Sequence, residues 1–118
     1  RPYPKTWLDR AIALASEFES LREACARFLG IDEAPIKVIS AYRTQAQNAS
    51  VGGVGASQHL FGRALDLAPP AGMTVEDFAK VCEEQAKKRG IINGLGIYSD
   101  GHCHIDIRPE SPLQIWRG

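Results

Sequence analysis

The sequence has no surplus of charge: fourteen Lys plus Arg are balanced by fourteen Asp plus Glu in 118 residues. A nucleic-acid binder uses a basic excess to displace counterions from phosphates, so no nucleic-acid partner is expected. No apolar run approaches the ~20 residues needed to span a bilayer, which excludes a transmembrane helix. Cysteine is sparse. Cys25, Cys82 and Cys103 are odd in number, far apart and without a CxxC pair, which excludes a zinc ribbon or a thioredoxin-like site. One bridge plus a free thiol and three buried thiols both fit. The sequence lacks internal repeats and low-complexity tracts. It opens at Arg1 without a charged leader and apolar stretch, and so reads as a processed product or an excised domain.

What is present is ordinary globular composition, with 44% hydrophobic and 24% charged residues. The length suits a single domain over residues 1–118. Thr6 with Asp9 has the form of a helix-capping box. Leu8, Ile12, Ala15, Phe18, Leu21, Cys25 and Phe28 then recur at helical spacing up to a stop at Gly30. Ile36–Ser40 is β-branched and reads as a strand. The stretch from Thr44 to Gln58, with Gly52, Gly53 and Gly55, reads as a long loop, and loops of that length are often functional. Gly62–Ala68 (GRALDLA) predicts a second strand that stops at Pro69-Pro70. Thr74 with Asp77 opens a second amphipathic helix over Val75–Arg89, and two strands follow, around Gly94–Tyr98 and His102–Arg108, joined by a turn at Ser99-Asp100-Gly101. The predicted class is α+β: a small antiparallel sheet packed against a long N-terminal helix and a second helix.

Alternate residues of a strand share a face. In the last strand His102, His104, Asp106 and Arg108 therefore point one way, and Cys103, Ile105 and Ile107 point to the core. In GRALDLA, Asp66 stands beside the small residues Gly62 and Ala64, opposite in sense to Leu65 and Leu67. His59 lies just upstream. If the two strands are neighbours, His59, Asp66 and His104 converge. Two imidazoles and a carboxylate are a catalytic-type zinc set that leaves one tetrahedral position for water. Other chemistries fit less well. Ser57 lacks a G-x-S-x-G elbow, Cys103 faces away from the histidines, and the glycines at 52, 53 and 55 lack the Gly-Lys-Ser/Thr of a phosphate loop. Trp7 and Trp116 are compatible with packing or with lining a groove.

The run Ser57-Gln58-His59-Leu60-Phe61-Gly62-Arg63-Ala64-Leu65-Asp66 has the form S-x-H-x-x-G-x-A-x-D. Ser40-Ala41-Tyr42-Arg43 and Asn48 with Gly52-Gly53 precede it, and His104-Ile105-Asp106 follows it. From about Ser40 to Arg108 the chain thereby resembles the zinc D-alanyl-D-alanine carboxypeptidases and related peptidoglycan peptidases, the Van-type members of the lysostaphin/carboxypeptidase/hedgehog superfamily. The resemblance implies one zinc ion held by His59, Asp66 and His104, with Arg43 binding a substrate carboxylate or the developing oxyanion. His102, two residues before His104, is placed to stabilise the tetrahedral intermediate or shuttle a proton. The family's usual acidic base lies three positions before the final His, which here is Gly101. Asp100, one residue further back, is the preferred base, and Asp106 is its competitor or an orienting partner of a ligand. The implied function is hydrolysis of amide bonds in peptidoglycan stem peptides or cross-links by a monomer in the cell-wall compartment, whether periplasmic, extracellular or phage-associated. The alternative is a non-catalytic zinc-bearing module of the hedgehog type that binds cell wall or protein.

Overall fold

The computed structural model describes residues 8–40, 62–109 and 112–118. The Thr6 cap, the loop over 44–58 and the candidate residues Arg43 and His59 lie outside the described residues. Among the described residues, two helices and five strands follow in the order α1 (Leu8–Leu29), β1 (Lys37–Ser40), β2 (Ala64–Ala68), α2 (Val75–Arg89), β3 (Gly94–Ile97), β4 (Cys103–Asp106) and β5 (Gln114–Arg117). The fold is α+β, as the pattern of periodicities implies.

Local chemistry sets the element boundaries. The Thr74 hydroxyl accepts from the Asp77 backbone N–H at 3.1 Å, satisfying one of the free donors at the start of α2. Glu76 and Asp77 sit in the first turn and Lys87, Lys88 and Arg89 in the last, matching the helix dipole at both ends. Gly62, at the entry to β2, has φ +66, a backbone conformation that a side chain would strain.

The sheet order is β1-β2-β4-β3-β5. β1, β2, β4 and β3 pair antiparallel, and β5 adds to the outer edge of β3 in parallel register. This fifth strand goes beyond the sequence reading and makes the sheet mixed. Gln114–Arg117 is almost wholly exposed, so no alternation of buried and exposed residues announces a strand, and the edge of β3 supplies its partner.

The face carrying Leu67, Leu95, Ile97, Cys103 and Ile105 forms the core with Leu21 and Cys25 of α1 and Phe78, Ala79, Cys82 and Ala86 of α2. Burial of these apolar surfaces, at roughly 25 cal/mol per Å², is what holds the helices on the sheet. All three thiols are free and buried there, so no bridge forms. The helices are also joined by polar contacts: Gln85 Nε2 donates to Ser20 Oγ at 2.5 Å, and Arg89 Nε donates to Glu17 Oε2 at 2.9 Å. The other face of the sheet is left uncovered by either helix and carries the polar residues.

Candidate metal centre

Register builds this face in two rows. Asp66 on β2 lies opposite His104 on β4, which lies opposite Gly96 on β3, which in turn pairs with Trp116 on β5. One step along, Ala64, Asp106, Gly94 and Gln114 form the second row. Small residues flank the functional ones for a steric reason. A Cβ on Gly94 would lie 2.3 Å from Asp106 Oδ2, and one on Gly96 would lie 2.7 Å from Trp116 Nε1. The two glycines strip β3 of side chains on this face, and the carboxylate and the indole occupy the space.

His104 is buried between two carboxylates. Its Nδ1 is 3.1 Å from Asp66 Oδ1 and its Nε2 is 2.6 Å from Asp106 Oδ2. Asp106, fully buried, also accepts from Arg108: backbone N to Oδ1 at 3.2 Å, Nε to Oδ1 at 2.7 Å and Nη2 to Oδ2 at 2.6 Å. Burial alone would raise the Asp106 pKa, but the hydrogen bonds from Arg108 and His104, with their charges, hold it down to about 2. Burial disfavours the His104 imidazolium, yet the hydrogen bonds and charges of Asp106 and Asp66 outweigh it and raise that pKa. The Asp106 carboxylate is ionised throughout the neutral range and can only accept, so the proton between it and His104 belongs to Nε2. The lone pair available to a metal is then the one on Nδ1.

The donor set fits a zinc ion. Two ligands at about 2.0–2.2 Å on a tetrahedral ion are roughly 3.3 Å apart, and Nδ1 and Oδ1 are already 3.1 Å apart. The ion would take the place of a proton on Nδ1, which otherwise lies between that nitrogen and Asp66 Oδ1. Among the described residues no group of three or more His, Cys, Asp or Glu is arranged to hold a metal. Asp66 and His104 are two of the three expected ligands, and His59 is outside the described residues.

His102 and Asp100 lie at the turn beside this row. Asp100 Oδ1 accepts from the His102 backbone N at 3.2 Å and faces His102 Nδ1 at 2.5 Å. The His102 ring stacks on Tyr98 with centroids 4.5 Å apart and planes 3° from parallel. Tyr98 Oη in turn accepts from Trp116 Nε1 at 2.8 Å. The Asp100 side chain is 69% exposed, whereas that of His102 is 21% exposed.

Sequence reasoning did not assign Arg108 a role, and it left Trp116 between packing and groove lining. Trp116 lies 5.3 Å from His104, centroid to centroid, and 5.2 Å from the Arg108 guanidinium carbon. A signal for the indole was present in the alternating glycines at 94 and 96, which leave room on the face where large neighbours must lie.

A histidine and a carboxylate paired across neighbouring strands, with a second carboxylate behind the histidine, are donors of the kind that metallohydrolases use. The chain matches the model of the family Peptidase M15 over residues 5–106 and belongs to that family. It is therefore a peptidase. No curated protein matches the chain.

Proposed function

We propose that this peptidase is a zinc enzyme that hydrolyses amide bonds in peptidoglycan stem peptides or cross-links, in the cell-wall compartment. The observation that carries the reading is the 3.1 Å approach of His104 Nδ1 to Asp66 Oδ1 with Asp106 behind Nε2. His59, Asp66 and His104 are the residues that would hold the ion. Bound there, zinc would supply Lewis acidity at the scissile carbonyl and lower the pKa of water toward ~7.

The chain's own groups supply the rest. His102 is held by two contacts, Asp100 at Nδ1 and the Tyr98 ring on its face. That leaves its Nε2 for the substrate side, where it would accept a proton from the attacking water and return it to the leaving amine. Asp100 acts either as the base itself or by orienting His102, and its exposure keeps it within reach of solvent protons. Asp106 supports His104 rather than serving as base, since a carboxyl held down to about 2 and engaged at both oxygens is poorly suited to take a proton. Arg43 would bind a substrate carboxylate or the developing oxyanion. A protein working as a monomer on a peptide substrate needs no further partner.

The test is release of D-alanine or muropeptide fragments from purified sacculi, read by mass, with and without a chelator. Chelator-sensitive release is expected. Stoichiometric zinc with no fragment released overturns peptidoglycan as the substrate and favours the zinc-bearing binding module.

A further inference from the structure

The geometry points to Arg108 as a positioning residue of the metal centre: its fork holds Asp106 as acceptor for the His104 Nε2–H, which leaves Nδ1 as the nitrogen facing Asp66 and the ion. This rests on the metal-site reading above. A carboxylate on a strand has freedom about two side-chain bonds. Asp106 loses it because both its oxygens are engaged, Oδ1 by the Arg108 backbone N and Nε, and Oδ2 by Nη2 and His104 Nε2. The Nε/Nη2 edge of a guanidinium is planar and binds side-on, so it fixes the plane of the carboxylate as well as its position. A lysine ammonium keeps the charge and loses that constraint.

Arg108 is itself held from β5. Its Nη1 donates to Gln114 Oε1 at 3.3 Å, and its guanidinium lies 5.2 Å from the Trp116 ring centroid. Position 108 and all of β5 fall beyond residues 5–106, the span matched to the family. The last strand thus reaches Asp106 through Arg108, beside the direct approach of Trp116 to His104: Trp116 and Gln114 hold Arg108, Arg108 holds Asp106, and Asp106 holds His104. Gly94 leaves the space in which Asp106 sits. Partners behind a metal-bound histidine commonly alter metal affinity 10–100-fold when removed.

The experiment uses the full chain. Zinc affinity is measured by competition with a chromophoric chelator, and the His104 ring nitrogens are followed by ¹H–¹⁵N correlation in the zinc-loaded state and, without metal, at a pH where the ring is neutral. Thermal unfolding monitors the fold. Arg108→Met is expected to weaken zinc binding roughly 10–100-fold and to replace a single Nε2–H form of metal-free His104 with a tautomer mixture. Arg108→Lys should fall between this variant and the unsubstituted protein. A folded Arg108→Met with unchanged affinity and unchanged His104 nitrogens overturns the inference. Should Arg108→Met fail to fold, the same unchanged pair of readouts in Arg108→Lys overturns it. If the unsubstituted protein takes up no zinc, the metal-site reading falls and this inference with it. Zinc uptake that all three proteins share equally removes this inference alone.

Discussion

Asp66 and His104 stand directly opposite one another on neighbouring antiparallel strands, with Oδ1 and Nδ1 3.1 Å apart. Thirty-eight residues of sequence separation close to hydrogen-bonding distance because β2 and β4 are hydrogen-bonded neighbours in register. The helices pack on the opposite face of the sheet.

Removing either member of the pair should remove the metal. Asp66→Ala and His104→Ala are expected to carry little zinc after purification, against one ion per chain in the unsubstituted protein. Elemental analysis of the purified proteins, alongside circular dichroism to confirm the fold, checks this.

Zinc affinity should fall on acidification, because a proton on His104 Nδ1 occupies the lone pair the ion needs. The His104 pKa is raised, so this competition sets in above the ordinary 6.5. The metal-free protein has the opposite dependence at this group. A raised folded pKa contributes stability that is fully present below 6.5 and is lost as pH rises through the folded value. For Asp106 the folded pKa is lowered, so its contribution is present above 3.8 and is lost as pH falls through about 2. Melting curves with and without zinc across pH 2–9 should separate these contributions.

Asp100→Ala and His102→Ala should leave zinc content and folding intact and reduce turnover by about 10²–10⁴-fold. Equal losses in the two single variants and in the double variant would show that Asp100 acts through His102. A larger loss for Asp100→Ala would mark Asp100 as the base. Steady-state rates on a defined muropeptide provide the measurement.

Gly94→Ala places a Cβ 2.3–2.5 Å from the Asp106 carboxyl group. Either that buried carboxylate or the strand must move, at a cost of about 1–3 kcal/mol. Urea unfolding should show the loss of stability, and zinc titration should show weaker binding, because displaced Asp106 no longer supports His104.

The three cysteines should be inert in the folded protein. Burial raises Cys25 to about 11 and Cys103 to about 12, and it raises Cys82 well above the ordinary 9.0, so almost no thiolate exists at pH 8. An aromatic disulfide reagent should titrate none of them in the native state and three per chain in denaturant. Since the folded pKa values are raised, the stability from these neutral thiols is complete below 9.0 and is lost as pH climbs toward 11–12.

Much of the site was legible because a strand has a period of two. That period assigned Cys103 and Ile105 to the core and His104 and Asp106 to the opposite face, before any partner strand was known. The N-cap at Thr74 and the turn at Gly101 were equally local, and both form. The place of Arg108 was not legible. Its contacts with Gln114 and Trp116 depend on β5, a short edge strand whose pairing is set by the free side of β3.

The amino-acid sequence by itself determined which residues of a strand share a face, where α2 begins and ends, and the donor types offered to a metal. These follow from backbone periodicity and local hydrogen bonding, which act over a few residues. Only the tertiary structure decided that β2 and β4 are neighbours in the register that sets Asp66 against His104, and that Arg108 braces the carboxylate behind it. Those arrangements come from strand order and from the burial of the helix-facing surface, in which residues distant along the chain compete for the same partners.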